Sequence, residues 1–94
     1  MDRRPEREDL QVSPWSRLRR LAVERIGESD QIWAHVEHQD GTRAAYFASL
    51  DGEAARAQLD LLRDAFDRHH EVFFHYTDHG KARRFYAVTL VWGG

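Results

Sequence analysis

The side chains in this sequence with the clearest potential for chemistry are three rings close together, Trp33, His35 and Tyr46. Four basic side chains are candidates to border them: Arg43, Lys81, Arg83 and Arg84. Aromatic rings beside arginines are typical of a site for single-stranded nucleic acid, and equally of a sugar site or a protein interface. We therefore take these seven residues as the candidate ligand or interface residues.

A predicted β-hairpin places the three rings on one face. Segments 32–38 and 42–50 are rich in β-branched and aromatic residues, and Asp40-Gly41 between them suits a two-residue type I′ turn. That turn pairs His35 with Tyr46, and opposed residues share a face. The predicted core face holds Ile32, Ala34, Val36, Ala45 and Phe47. The predicted outer face holds Trp33, His35, Glu37, Ala44, Tyr46 and Ala48.

The rest of the sequence lacks the patterns expected of catalytic, metal or cofactor sites. Six histidines are present, but they do not show the spacing of three or four converging metal ligands. The absence of cysteine excludes disulfides, thiolate zinc sites and cysteine nucleophiles. No serine lies in a nucleophile elbow, and no glycine-rich phosphate loop is present. We expect a protein that is not an enzyme and has no cofactor and no metal.

Length and charge limit the organisation of the chain. Its 94 residues allow one domain, and a net charge of −2 argues against a strong nucleic-acid or membrane field. Neither a membrane-spanning run nor a secretory leader is recognisable, so a cytoplasmic location without membrane contact is expected. Residues 1–12 carry seven charges and are expected to form a disordered tail, followed by a single small domain over 13–94.

The elements after the hairpin are predicted clearly, whereas segment 13–27 is ambiguous. Ser13, Pro14 and Gly27 are typical of helix ends, but segment 18–26 also fits a strand with a bulge or an exposed end. A helix is predicted from Asp51 to about His69, with an apolar stripe of Ala55, Leu59, Leu62 and Phe66. Strands are predicted over 71–77 and 83–92, with a turn at His79-Gly80.

Two hairpins and one helix leave open sheet edges, which a strand in 13–27 would close. The order is then β-β-β-α-β-β, the order of the OB-fold, a five-stranded barrel. The expected fold class is mainly β with one central helix (α+β), of OB type. The alternative is a β-grasp fold with a helix in 13–27. The OB-fold pairs segment 83–92 in parallel with 42–50, whereas the β-grasp fold pairs it in parallel with 31–38.

Core positions between residues 42 and 92 resemble small OB-fold proteins similar to the pentamer-forming, receptor-binding subunits of bacterial toxins. The matching runs are Tyr46-Phe47-x-x-Leu50-Asp51, Leu59-x-x-Leu62-x-x-Ala65, Val72-x-Phe74-x-Tyr76 and Ala87-Val88-x-Leu90. The resemblance implies the fold and does not carry sugar-binding residues. The chain departs from that family in lacking a secretory signal and a cysteine pair.

The end of the sequence carries a second resemblance. An apolar strand followed by Gly93-Gly94 resembles the ubiquitin-like and sulfur-carrier proteins of the β-grasp fold. In that family the terminal glycine carboxylate is adenylated and then converted to a thiocarboxylate or an amide. The resemblance implies that Gly93 and Gly94 enter the ATP site of an activating enzyme.

These observations lead to one expected function and two alternatives. We expect a non-enzymatic binding or assembly module that associates with a protein partner or with itself, through the last strand and the Trp33/Tyr46 face. The first alternative is a ubiquitin-like modifier or sulfur carrier acting through Gly94. The second alternative is single-stranded nucleic-acid binding by Trp33, Tyr46 and nearby arginines.

Overall fold

The computed structural model describes residues 9–91, which form six strands and one helix. The elements are β1 Gln11–Val12, β2 Ser16–Ile26, β3 Ser29–His38, β4 Arg43–Ser49, α1 Gly52–Arg68, β5 Glu71–His79 and β6 Ala82–Val91. The predictions for residues 1–8 and for Trp92, Gly93 and Gly94 lie outside the described residues. The expected mainly-β fold with one central helix is confirmed.

The strands form one ring-like sheet. Their order is β1-β5-β2-β3-β4-β6, and β5 also pairs with β6, which closes the ring. The pairings are antiparallel except for that of β4 with β6, which is parallel at Tyr46↔Arg83 and Phe47↔Arg84. This is the parallel pairing expected for the OB-type order. Within residues 9–91, β6 pairs with β4 and β5. It does not pair with β3, although the β-grasp alternative would require that pairing.

The ambiguous segment 13–27 forms strand β2, so the helical reading of its local signals is wrong. Ring closure decides the outcome, because β2 bridges β3 and β5. Both irregularities that a strand would need are present. The register with β3 shifts between Leu18 and Arg20, and the far end of the strand leaves Val23 and Ile26 each 50% exposed.

The turn between β3 and β4 differs from the prediction. The N–H of His38 donates to the Thr42 carbonyl at 2.7 Å, and the N–H of Gly41 donates to the His38 carbonyl at 2.9 Å. Gly41 has φ 87°, but Asp40 does not share the positive φ that a type I′ turn requires. The loop therefore has three residues, with a glycine bulge, instead of two.

This change moves the register by one residue and reverses the faces of β4. Ala34 pairs with Tyr46, and Trp33 pairs with Phe47. Tyr46 lies in the core and is 0% exposed. The prediction that it lies on the outer face is therefore wrong. The prediction that Ala45 and Phe47 lie in the core is likewise wrong, as is the outer placement of Ala44 and Ala48.

The core lies inside the ring and is closed by α1. Tyr46 stacks on Phe74 with ring centroids 4.3 Å apart, and Phe85 packs beside them. From α1, Leu62 and Ala65 are fully buried. Of the predicted helical stripe, Ala55, Leu59 and Leu62 face the core as expected, whereas Phe66 is 38% exposed. The predicted face of Val72, Phe74 and Tyr76 on β5 is buried as expected.

Strand β1 places the last two residues of the expected disordered tail in the sheet. Gln11 and Val12 pair with Tyr76 and His75 of β5. Next to them, the N–H of Ser13 donates to the Phe74 carbonyl, and the N–H of Phe74 donates to the Ser13 hydroxyl, both at 2.8 Å. These bonds attach the start of the domain to the middle of β5.

Two smaller observations complete the fold. The β5–β6 connection is Gly80-Lys81, one residue later than predicted, because His79 still pairs with Ala82. Gly80 has φ 65°, which suits a glycine in a tight hairpin. Within residues 9–91, no helix is both long enough and apolar enough to cross a membrane.

Candidate ligand-binding face

Four rings follow one another across the outer face of the sheet, and we call them the aromatic strip: His35, Trp33, Phe47 and His79. Trp33 stacks on Phe47 with centroids 5.1 Å apart and on His35 at 6.3 Å, each with an interplanar angle of 23°. His79 meets the Phe47 ring edge-on at 5.9 Å. The strip therefore crosses β3 and β4 and reaches the end of β5.

Strand alternation explains this placement. Ile32, Ala34 and Val36 fill the core, so the residues between them must face outward. Cross-strand pairing then brings Phe47 beside Trp33. Trp33 and Phe47 are both half-buried, and the indole N–H of Trp33 donates to the Gln31 side chain at 3.2 Å. Part of the surface of each residue therefore stays exposed on the outer face.

A basic groove runs beside the aromatic strip. This open depression has a volume of about 420 Å³, and its charged and ring-bearing lining residues are Arg19, Arg20, His35, Arg43 and Lys81. Small alanines from β4 form part of its floor. Because His35 belongs to both the groove and the strip, the two features form one continuous surface.

The charge of the groove is mostly uncompensated. Arg19 is neutralised by Glu37, with N–O distances of 2.8 and 2.9 Å. Among residues 9–91, no carboxylate lies within ion-pair distance of Arg20, Arg43 or Lys81. These three exposed cations remain available for an anionic ligand.

Two of the predicted site residues, Tyr46 and Arg83, lie away from this face. The Arg83 guanidinium donates to the Tyr46 hydroxyl at 2.6 Å and lies over the Tyr76 ring, 4.9 Å from its centroid. It is also 3.7 Å from the Asp78 carboxylate. Burial raises the pKa of Tyr46, although the hydrogen bond from Arg83 opposes that shift. The pair closes one end of the core and cannot border the strip.

The remaining predicted residues divide into two groups. Trp33, His35, Arg43 and Lys81 come together on the outer face as proposed. Arg84 lies opposite Phe47 on β6, and its guanidinium covers the Tyr86 ring at 5.1 Å from the centroid. Arg84 therefore lies next to the strip but outside the basic groove.

Sequence reasoning missed three residues of this face. Phe47 was assigned to the core by the one-residue register error. His79 was treated as part of a turn, although it ends β5 beside Phe47. Arg20 lies opposite His35 across β2 and β3, and this position could be inferred only after segment 13–27 was known to be a strand.

A buried serine–histidine pair lies at the other end of β3. The Oγ atom of Ser16 lies 2.5 Å from Nδ1 of His38, and the Ser16 hydroxyl donates to the Pro14 carbonyl at 2.8 Å. The tautomer with the proton on Nδ1 fits this arrangement, because the Ser16 oxygen can accept from it while the buried Nε2 has no hydrogen-bond partner. Burial lowers the pKa of His38, and the charge of Arg83 adds to this effect. Ser16 is 1% exposed and cannot reach a substrate, so the pair is structural.

Metal binding has no support in this part of the chain. Among residues 9–91, no three side chains of the His, Asp or Glu type are grouped so that they could hold an ion. The outer face instead combines stacked rings with cations.

Comparison with known proteins identifies no relative of this chain. The chain matches no protein-family model, no curated protein and no solved structure. Its function must therefore be argued from the geometry of this face.

Proposed function

We propose that this chain is a non-enzymatic binding module of OB type that binds single-stranded nucleic acid on its outer face. The observation that carries the proposal is the Trp33–Phe47 stack at 5.1 Å beside three unpaired cations. The stack offers ring surface to bases, and Arg20, Arg43 and Lys81 offer charge to phosphates.

The strand order supports the OB assignment. Strands β2 to β6 follow the β-β-β-α-β-β sequence, and the parallel β4–β6 contact closes the ring. In an OB-fold, the second and third strands carry the ligand surface together with the loops after the first and fourth strands. The aromatic strip lies on β3 and β4, and Lys81 belongs to the loop after β5, which correspond to these positions.

The charge pattern favours nucleic acid over a neutral sugar. A sugar stacked on Trp33 would leave Arg20, Arg43 and Lys81 without counter-charges, whereas a phosphodiester backbone supplies one charge per nucleotide. The net charge of −2 does not prevent this, because charges more than about 10 Å apart are screened at ordinary salt concentrations. An unpaired strand is favoured over a duplex because only splayed bases can stack on side-chain rings.

The expected assembly function loses two of its supports. Tyr46 is buried, so the proposed Trp33/Tyr46 interface does not exist as one surface. In strand β6, a register shift between Phe85 and Ala87 brings Phe85, Val88 and Leu90 to the core side together, so the strand does not present the second apolar face that the sequence predicted. The modifier alternative depends on Gly93 and Gly94 and on a different strand pairing, and no described feature favours it.

The test is fluorescence anisotropy with a labelled single-stranded oligonucleotide of about 12 nucleotides, a length within the range of OB-fold site sizes. Substituting Trp33 or Phe47 by alanine should weaken binding roughly 5- to 150-fold, since a base–aromatic stack contributes about 1–3 kcal/mol. Phe66→Ala is the matched control, because Phe66 is an exposed ring on α1.

Three results would contradict the proposal. The first is the absence of oligonucleotide binding at about 50 mM salt, where electrostatic attraction is strong. The second is equal binding of the matching duplex. The third is binding that Trp33→Ala, Phe47→Ala and Phe66→Ala leave equally unchanged.

A further inference from the structure

Beyond Arg17, one edge of strand β2 has no strand partner. β2 pairs with β3 along its whole length but with β5 only at Ser16 and Arg17. From Arg20 to Glu24, no strand within residues 9–91 pairs with the second edge and no backbone hydrogen bond reaches it from a loop, and helix α1 packs against β2. Such an edge presents a row of unpaired N–H and C=O groups, which can pair with another strand.

The side chains along this edge alternate between two faces. Leu21 and Val23 are opposite the core residues of β3 and face inward, while Arg20, Ala22 and Glu24 face outward. Arg20, Val23 and Glu24 are exposed, and Leu21 and Ala22 are half-buried. Val23 is 50% exposed, although Leu62 and Ala65 of α1 already fill the core on the inner side.

We propose that a second copy of this chain pairs with this edge in an antiparallel, two-fold symmetric arrangement centred on Ala22. In an antiparallel pair, opposed residues share a face. The centre then places Ala22 opposite Ala22, Leu21 opposite Val23, and Arg20 opposite Glu24. Two-fold symmetry makes the last two pairings occur twice.

The sequence of the edge selects this centre. The small Ala22 side chains face each other at the centre. On the inward face two apolar Leu21–Val23 pairs form, and on the outward face two opposite-charge Arg20–Glu24 pairs form. Opposite charges directly across an antiparallel strand pair stabilise the pairing, whereas like charges destabilise it. A centre on Val23 would place Glu24 opposite Ala22, and a centre on Leu21 would place Arg20 opposite Ala22, so both lose the charge pairs.

The ends of the paired segment are also defined. The register shift between Leu18 and Arg20 interrupts the regular strand, so a regular ladder begins at Arg20. Arg19 at this irregularity is held by Glu37 of the same chain. The pairing therefore covers five residues of each copy, which places the interface at the small, weak end of the range.

Dimer formation does not depend on the proposed nucleic-acid function. It continues the sheet from one copy to the next, and the outer faces of the two β2–β3 hairpins become neighbours. In the dimer Arg20 is neutralised by Glu24 of the second copy, so Arg43 and Lys81 remain as the free cations of the groove.

The experiment measures the molar mass of the full chain by sedimentation velocity over a concentration series from about 1 µM to about 1 mM, which spans weak affinities. The wild-type mass should rise from 11.1 kDa toward twice that value. Arg20→Glu and Glu24→Arg should each abolish the rise, because each places two like charges opposite each other. Both side chains are exposed, so neither change disturbs the core.

Two restorations make the test specific to this register. The double variant Arg20→Glu/Glu24→Arg should dimerise again, because the charges are exchanged. An equimolar mixture of the two single variants should form a mixed dimer, because opposite charges again face each other. Arg56→Glu on α1 is the control, since it reverses an exposed charge far from the edge in sequence, and it should dimerise normally.

The proposal is overturned if the wild type stays at 11.1 kDa throughout the series. It is also overturned if Arg20→Glu and Glu24→Arg both dimerise as strongly as the wild type. A dimer abolished by the reversals but restored neither by the double variant nor by mixing would exclude the centre on Ala22.

Discussion

The Nδ1 atom of His38 and the Oγ atom of Ser16 lie 2.5 Å apart, which joins the end of β3 to the start of β2 inside the protein. The Ser16 hydroxyl donates a hydrogen bond to the Pro14 carbonyl, so its oxygen fits the neutral His38 tautomer that carries the proton on Nδ1. A second proton on the buried Nε2 would find no acceptor among the described residues, and Arg83 adds an unfavourable charge.

This relationship makes the stability of the fold dependent on pH. The pKa of His38 is lowered by burial and by Arg83, so the unfolded chain binds a proton at a higher pH than the folded one. The free energy of unfolding should therefore be highest above pH 6.5, the ordinary pKa of histidine, and should fall as the pH decreases below it. Urea unfolding at a series of pH values measures this dependence.

His38→Gln serves as the control for the pH effect. The substitution removes a buried hydrogen bond and should cost about 1–3 kcal/mol at neutral pH. It should also flatten the decrease below pH 6.5, because the titrating group is gone. An equally steep decrease in this variant would assign the pH dependence to other groups.

Alanine substitutions at two adjacent residues test the observed register of β4. Tyr46→Ala should destabilise the protein by about 3–5 kcal/mol, because it removes a fully buried ring. Phe47→Ala should cost only about 1–2 kcal/mol, since it loses one stacked partner on the outer face. Urea unfolding compares the two, and the reverse order would restore the register that the sequence predicts.

A single glycine is needed for the three-residue loop between β3 and β4. Gly41 has φ 87°, and an added Cβ would meet no atom within 4 Å, so only backbone strain opposes a substitution. Gly41→Ala should lower the stability by about 1–2 kcal/mol. Gly41→Asn should cost less, because asparagine tolerates this conformation. Thermal unfolding followed by circular dichroism measures both, and two equal losses would contradict the explanation.

Salt dependence separates the two components of the proposed nucleic-acid face. Replacing Arg43 or Lys81 by alanine should reduce the slope of log affinity against log salt concentration by about one for each lost phosphate contact. Trp33→Ala should weaken binding but leave that slope unchanged, because a stacked ring releases no counterion. Anisotropy titrations between about 50 and 200 mM salt provide the slopes. Unchanged slopes in both basic variants would remove these residues from the interface.

Local sequence patterns were sufficient to predict the helix and the two strands that follow it. Asp51 precedes the helix and His69 ends it, as predicted, and both later strands appear with small changes in their limits. Segment 13–27 could not be assigned in this way, because its helical end signals are local whereas its strand partners, β3 and β5, are distant in the sequence.

The site was predicted in part, and its main error has a clear physical cause. Asp40-Gly41 suits a two-residue and a three-residue loop equally well, since Gly41 supplies the positive φ in both. Asp40 decides between them, because its carboxylate accepts hydrogen bonds from the N–H and the hydroxyl of Thr42. The three-residue loop therefore places Tyr46 in the core and Phe47 on the outer face, the reverse of the prediction.

The bonds between Ser13 and Phe74 also have a consequence for how the protein is made. The two residues are 61 positions apart, so the first strand has no partner until most of the chain has left the ribosome. The earlier β3–β4 hairpin and α1 can form during synthesis, but the ring cannot close before β5 and β6 are complete. Contacts this distant in sequence slow folding. The closing of the ring is therefore a late step of folding, and until it occurs the edges of the growing sheet are open to wrong partners.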